Sequence, residues 1–130
     1  MNIFLWVLQV LLAVAFAAHG GMMLFPPPEI LAMMNEMLPT WFRLFLGAAE
    51  VLAAIGLILP GVTRILPWLA SLAAAGIMLV MISATGLHAV RGEYSSAVST
   101  VVLLVLSTVV AYMRWKVKPI AARSAARVVA

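Results

Sequence analysis

Arg43 and Glu50 stand seven residues apart in the otherwise apolar run RLFLGAAE, with Gly47 between them. Seven residues along a helix return to within about 20° of the starting direction, so the two side chains share one stripe. A charged group at mid-bilayer costs several kcal/mol, so this stripe must face a partner helix or a wet cavity. Two histidines, His19 and His88, add groups able to move protons. Desolvation and nearby cations act on a carboxyl's proton affinity in opposite directions, which is how acid–base residues are tuned. The chemistry to expect is proton exchange with a lipophilic molecule. Glu50, His19 and His88 are the candidate catalytic residues, and Arg43, Arg91 and Trp41 the candidate ligand-binding residues. In the plainer alternative, Glu50 with Arg43, or Glu50 with His19, is an interhelical polar clamp. His88, Arg91 and Glu93 are then solvated interfacial charges.

These groups must be held by membrane helices. The chain has 130 residues, 66% of them hydrophobic and 9% charged, with a mean hydropathy of +1.19. A soluble domain of this size leaves too much surface exposed to hide such a composition, so the bilayer is the solvent. Without cysteine there is no disulfide framework and no thiol–disulfide chemistry by this chain. The basic residues lack the clustered, aromatic-interleaved pattern of a nucleic-acid face. No Gly-rich phosphate loop, HExxH motif or supported Ser–His–Asp order occurs. The N-terminus has no basic n-region, and apolar sequence continues to Phe25, so it is expected to be a retained span rather than a signal peptide.

Four apolar segments, 3–25, 40–59, 68–90 and 95–113, each approach the roughly 20 residues that cross a bilayer core. Pro26-Pro27-Pro28 stops the first. The stretch 29–39 is too short to span; it places Ile30, Met33, Met34 and Met37 at helical spacing with Glu29 and Glu36 off that face. It is expected to be an interfacial amphipathic helix or a lid. Pro60-Gly61 is expected to end the second span as a turn, Pro67 to open the third, and Arg91-Gly92-Glu93 to form a tight loop before the fourth. Gly47, Ala48 and Ala54, then Ala70, Ala73, Ala74, Ala75 and Gly76, are small enough for close helix packing. The fold class is therefore all-α: a single integral membrane domain, a four-transmembrane-helix antiparallel bundle with a short interfacial helix after the first span.

Arg64 and the basic tail 114–130, with Arg114, Lys116, Lys118, Arg123 and Arg127, fall on one side of this topology, against Arg91 and Arg43 on the other. Positive-inside counting puts both termini in the cytoplasm, in a bacterial inner membrane. The tail is expected to meet anionic lipid headgroups. The ionisable residues of the spans all lie in the outer half or at the midplane, and the inner half is expected to hold none. Nine methionines raise Cu(I), which suits thioether and imidazole donors, through His19, Met22, Met23, Met33, Met34 and Met37. The absence of cysteine and of any Met-x-x-Met repeat beyond Met34 and Met37 argues against it, and methionine also fills irregular apolar gaps. The cofactor stays open, with a quinone the leading candidate.

Several separated pieces resemble the DoxX-like family of small four-helix membrane proteins. They are Phe16, Gly20, Met23-Leu24 and Pro27 around the end of the first span; Arg43, Gly47 and Glu50 in the second; then Gly56-Leu57-Ile58-Leu59-Pro60, and His88 with Arg91-Gly92-Glu93. The resemblance implies an integral membrane bundle, with some relatives associated with quinone-linked oxidation of sulfur compounds or with oxidative-stress complexes. It also implies that Arg43 and Glu50 match the family's polar pair and His88 its histidine in the third span. Met23 stands where relatives usually carry lysine, so a cation expected there is missing. The leading function is a membrane oxidoreductase component or quinone-type ligand binder. The alternatives are a structural or assembly subunit of a membrane complex or homodimer, and a cofactor-free isomerase or hydrolase for a lipophilic substrate.

Overall fold

Long apolar runs satisfy every backbone polar group only by coiling, which is why membrane-spanning chains of this kind become helices. A computed structural model describes residues 2–123. The elements are α1 (Asn2–Leu24), α2 (Pro28–Met37), α3 (Thr40–Thr63), α4 (Leu69–Val90) and α5 (Tyr94–Tyr112), the last continued by one π-helical turn, Met113–Val117. Four of these helices are long and apolar enough to cross a membrane. They form an antiparallel bundle: α1 packs along α3, α3 against α4 and α4 along α5, while α1 meets α5 over only a short stretch.

The core is narrow. Leu8, Leu12 and Phe16 of α1 meet Ala54 and Leu57 of α3, Ala74, Ile77 and Met81 of α4, and Val110 of α5. Many of the remaining large apolar side chains point outward, such as Val14, Leu52, Leu79 and Val98, as lipid-facing positions should. Three prolines sit where a missing N–H costs nothing: Pro27 and Pro39 precede the helical residues of α2 and α3, and Pro28 opens α2. At the α4–α5 turn Gly92 takes φ +73°, a conformation that glycine adopts without strain.

Several expectations need correction. First, Pro60-Gly61 does not end the second span; α3 runs on to Thr63 and closes on Arg64 at φ 58°. The dipeptide is a packing element. A Cβ on Gly61 would stand 2.6 Å from the Trp6 ring and 2.8 Å from Ile120 Cδ1, so the absent side chain makes room for both. Second, Arg114 is not part of a tail that meets lipid headgroups but is buried in the bundle, 4% exposed. Third, the small residues do not all serve packing: Gly47, Ala54, Ala70 and Ala74 are buried, whereas Ala48 and Gly76 face outward. Pro67 lies two residues ahead of α4, which starts at Leu69 with Trp68 as its cap. Helix α2 has no buried residue, so it rides at the end of the bundle rather than plugging it.

The backbones of α1 and α3 come close together at Gly20 and Gly47. A Cβ on Gly20 would lie 2.8 Å from the Gly47 carbonyl oxygen, and one on Gly47 would lie 2.8 Å from Met23 Cβ and 2.9 Å from the Gly20 carbonyl oxygen. Backbone cannot step aside as a flexible side chain can. Alanine at either position gains about 1 kcal/mol of helix propensity, but overpacking of this kind costs about 1–3 kcal/mol and separates α1 from α3. Gly20→Ala and Gly47→Ala should each lower the thermal midpoint of the detergent-purified protein. Gly21→Ala, where an added Cβ meets nothing within 4 Å, should leave it level or raise it.

Candidate functional site

Because α1 and α3 run antiparallel and touch at their glycines, residues flanking that contact are brought level. His19 precedes Gly20, and Glu50 lies one turn beyond Gly47. Their side chains meet: His19 Nδ1 is 2.6 Å from Glu50 Oε2. The two ends of this contact have different surroundings. Glu50 is 2% exposed and the His19 side chain 53% exposed, so the carboxyl is enclosed while the imidazole stands at the flank of the bundle. Glu50 lies about 15 Å along α3 from its start, and His19 about 8 Å from the end of α1, at about 1.5 Å per residue.

Arg43 is also buried, on the same stripe as Glu50, but it serves another group. Its Nη1 donates to the carbonyl of Met23, and its Nε has no partner among the described residues. Seven residues correspond to about 10.5 Å along the axis, so two side chains on one stripe need not touch. Arg43 instead supplies a donor and a positive charge to the last turn of α1, whose final carbonyls lack intrahelical partners.

A second group forms at the α4–α5 turn. His88 Nδ1 lies 2.5 Å from Glu93 Oε2, with both side chains partly exposed, and Arg91 Nη2 donates to the Met37 carbonyl at 3.3 Å, tying the turn to the end of α2. Trp41 is exposed and turns its ring edge-on to Phe42, with centroids 5.6 Å apart. Among the described residues no hydrogen bond or ion pair joins this group to the His19–Glu50 dyad. Nor do three or more His, Cys, Asp or Glu side chains come together there as a metal site would require.

The family model for the DoxX-like family matches residues 7–110, most of the chain. The chain belongs to the DoxX-like family. No curated protein and no solved structure matches it. Within this DoxX-like protein the matched region contains the dyad, Arg43 and the whole α4–α5 group, and it stops short of Arg114.

In chemical terms a carboxyl hydrogen-bonded to an imidazole can hold a proton on either partner. With the carboxylate ionised, Nδ1–H of His19 donates to Glu50, and Nε2 accepts if the imidazole is neutral or donates if it is protonated. With the carboxyl neutral, its O–H donates to Nδ1, and Nε2–H becomes a donor. In each state the acid stays enclosed and the half-exposed imidazole stands at the flank.

A second polar assembly, absent from the sequence-based expectations, occupies the opposite end of this DoxX-like bundle. Gln9 Nε2 donates to the Leu57 carbonyl at 2.6 Å, Arg114 Nε donates to Gln9 Oε1 at 2.6 Å, and Arg114 Nη1 donates to Asn2 Oδ1 at 2.6 Å. The guanidinium carbon lies 5.3 Å from the centroid of the Trp6 ring, within reach of a cation–π contact. The expectation that this half of the bundle holds no ionisable group is therefore corrected. The available signal was Gln9 itself, a lone amide on the stripe of Leu5, Leu12 and Phe16, which needs a partner once buried.

A double-mutant cycle measures the dyad. His19→Ala removes the partner of an enclosed acid and should lower stability more in the native background than in the Glu50→Gln background. Thermal unfolding in detergent should give a coupling of about 1–2 kcal/mol, near the upper values for polar pairs between membrane helices. A coupling indistinguishable from zero would mean that the two groups do not act together.

Proposed function

We propose that this DoxX-like protein is a component of a membrane oxidoreductase that binds a quinone-type lipophilic molecule, with Glu50 and His19 carrying the proton that accompanies the molecule's oxidation or reduction. The observation that carries the reading is the uneven burial of the dyad: Glu50 is enclosed, while half of His19 remains accessible on the flank. Its neighbours one turn away, Ala15 and Met22, are exposed and apolar, so whatever meets His19 there arrives from an apolar phase. A quinone supplies redox chemistry; the chain supplies proton handling. His19 Nε2 offers a hydrogen bond to a ring oxygen, and Glu50 holds or returns the proton out of reach of bulk water. Electrons pass to or from a redox partner in the same membrane.

In this reading Arg43 is a positioning residue that fixes the end of α1, and with it His19. His88, Arg91 and Trp41 lie at the α2 end and act on approach or orientation of the ligand rather than on the proton. The charge asymmetry supports a plasma-membrane placement with the basic end in the cytoplasm. An assembly subunit is the second reading, favoured by the tight Gly20–Gly47 crossing, which makes the dyad a clamp between α1 and α3.

Binding of a short-chain quinone to the protein in lipid nanodiscs separates the two. Glu50→Gln keeps the size and a hydrogen bond but removes the acid; it should weaken binding about tenfold, or about 1.4 kcal/mol, with helical content unchanged. His88→Ala should change binding by less than about twofold, well under 1 kcal/mol. Native-like affinity in Glu50→Gln together with a lowered melting temperature would assign the dyad to the clamp.

A further inference from the structure

The end of the bundle away from the dyad carries an imbalance that the proposed function does not use. All four carboxylates of the chain, Glu29, Glu36, Glu50 and Glu93, belong to α2, the first half of α3 and the α4–α5 turn. At the other end stand Arg64, Arg114, Lys116, Lys118 and Arg123, and among the described residues none of them is in an ion pair. Arg114 is the extreme case. It is 4% exposed, and among the described residues its Nη2 has no hydrogen-bond partner and every side-chain or carbonyl partner it has is neutral. A guanidinium does not shed its proton, and a buried cation with no counter-ion among the described residues favours a negative group bound close by.

A cleft lies beside it. Asn2 and Trp6 of α1, Arg64 after α3, and the segment from Lys118 to Ala121 enclose an open volume of about 320 Å³. Two of these wall residues are the ones Arg114 holds from behind: its Nη1 donates to Asn2 Oδ1 and to the Lys118 carbonyl. The opposite wall is fixed too. Arg64 Nε donates to the Ala121 carbonyl at 2.9 Å, and the Arg123 N–H donates back to the Arg64 carbonyl at 2.8 Å. Exposed Trp68, Tyr112 and Trp115 ring this end of the bundle, which places the cleft at the depth of lipid headgroups.

We propose that this cleft is a binding site for the phosphate of an anionic membrane lipid, held by Arg64 and Lys118 and balanced electrostatically by Arg114 behind the wall. The headgroup supplies the missing countercharge, and its acyl chains lie along the apolar flank of the helices. This inference stands apart from the dyad and does not need a quinone.

The test is native mass spectrometry of the protein equilibrated with equal amounts of phosphatidylglycerol and phosphatidylcholine. The wild type should retain phosphatidylglycerol preferentially. Lys118→Glu should reduce that retention by about fivefold or more, the scale of one basic residue at an anionic surface. Lys118→Gln should reduce it less and in the same direction. Lys116→Glu, which changes an exposed lysine outside the cleft wall, and Glu50→Gln, at the other end, should both retain the lipid. Equal losses in Lys116→Glu and Lys118→Glu would reveal general surface attraction and overturn the site. Binding of soluble glycerol phosphate with no lipid retained would assign the cleft to free phosphate and overturn the lipid.

Discussion

An acid enclosed among apolar helices must be given a hydrogen-bond partner, and in this bundle the partner comes from the neighbouring helix. Glu50 belongs to α3 and His19 to α1, and they reach each other because Gly20 and Gly47 let the two backbones come together between them. The other polar groups near the α2 end follow from the same contact. With α1 drawn against α3, the start of α3 lies beside the end of α1, and Arg43 finds the Met23 carbonyl rather than an acid. The result is a carboxyl stabilised by one imidazole, while the adjacent guanidinium is occupied with main chain.

The opposite end solves a different problem by a different route. There the buried charge is a cation, and its immediate partners are two amides, a carbonyl and an aromatic face. Neutral oxygens satisfy the geometry of a guanidinium without cancelling its charge, so the local potential stays positive. The π-helical turn at Met113–Val117 is where Arg114 departs from a regular helix surface, and such turns often accompany a side chain redirected inward. The two ends are thus chemically unlike, one with all the carboxyls and the other with most of the cations.

How much of this could be seen in the sequence depended on how local the cause was. The four spans were legible from apolar length and from the triple proline, and the short α2 from its methionine spacing, because those signals act within a few turns. The His19–Glu50 contact was one of two pairings that the bilayer's cost for a lone carboxyl allowed. The other, Arg43–Glu50, satisfied the angular condition but not the axial one. Pro60-Gly61 resembled a turn because the reason for its helical state, the Trp6 and Ile120 side chains, lies far away in the chain. Arg114 resembled a tail residue for the same reason, since it is followed by Lys116 and Lys118 and its side-chain partners Asn2, Trp6 and Gln9 are at the other end of the sequence. Arg127 lies outside the described residues.

The bond between Gln9 and Arg114 also orders events in time. Its partners are separated by 105 positions, with the first helix holding one and the π-helical turn after α5 the other. At synthesis rates of about 5–20 residues per second, the amide waits roughly 5–20 s for its guanidinium. The amide's bond to the Leu57 carbonyl, 48 positions away, becomes available much sooner. A nascent chain therefore joins its first two spans early and fastens α1 to the turn after α5 last, so a ribosome stalled before Arg114 leaves the ring of helices unlatched.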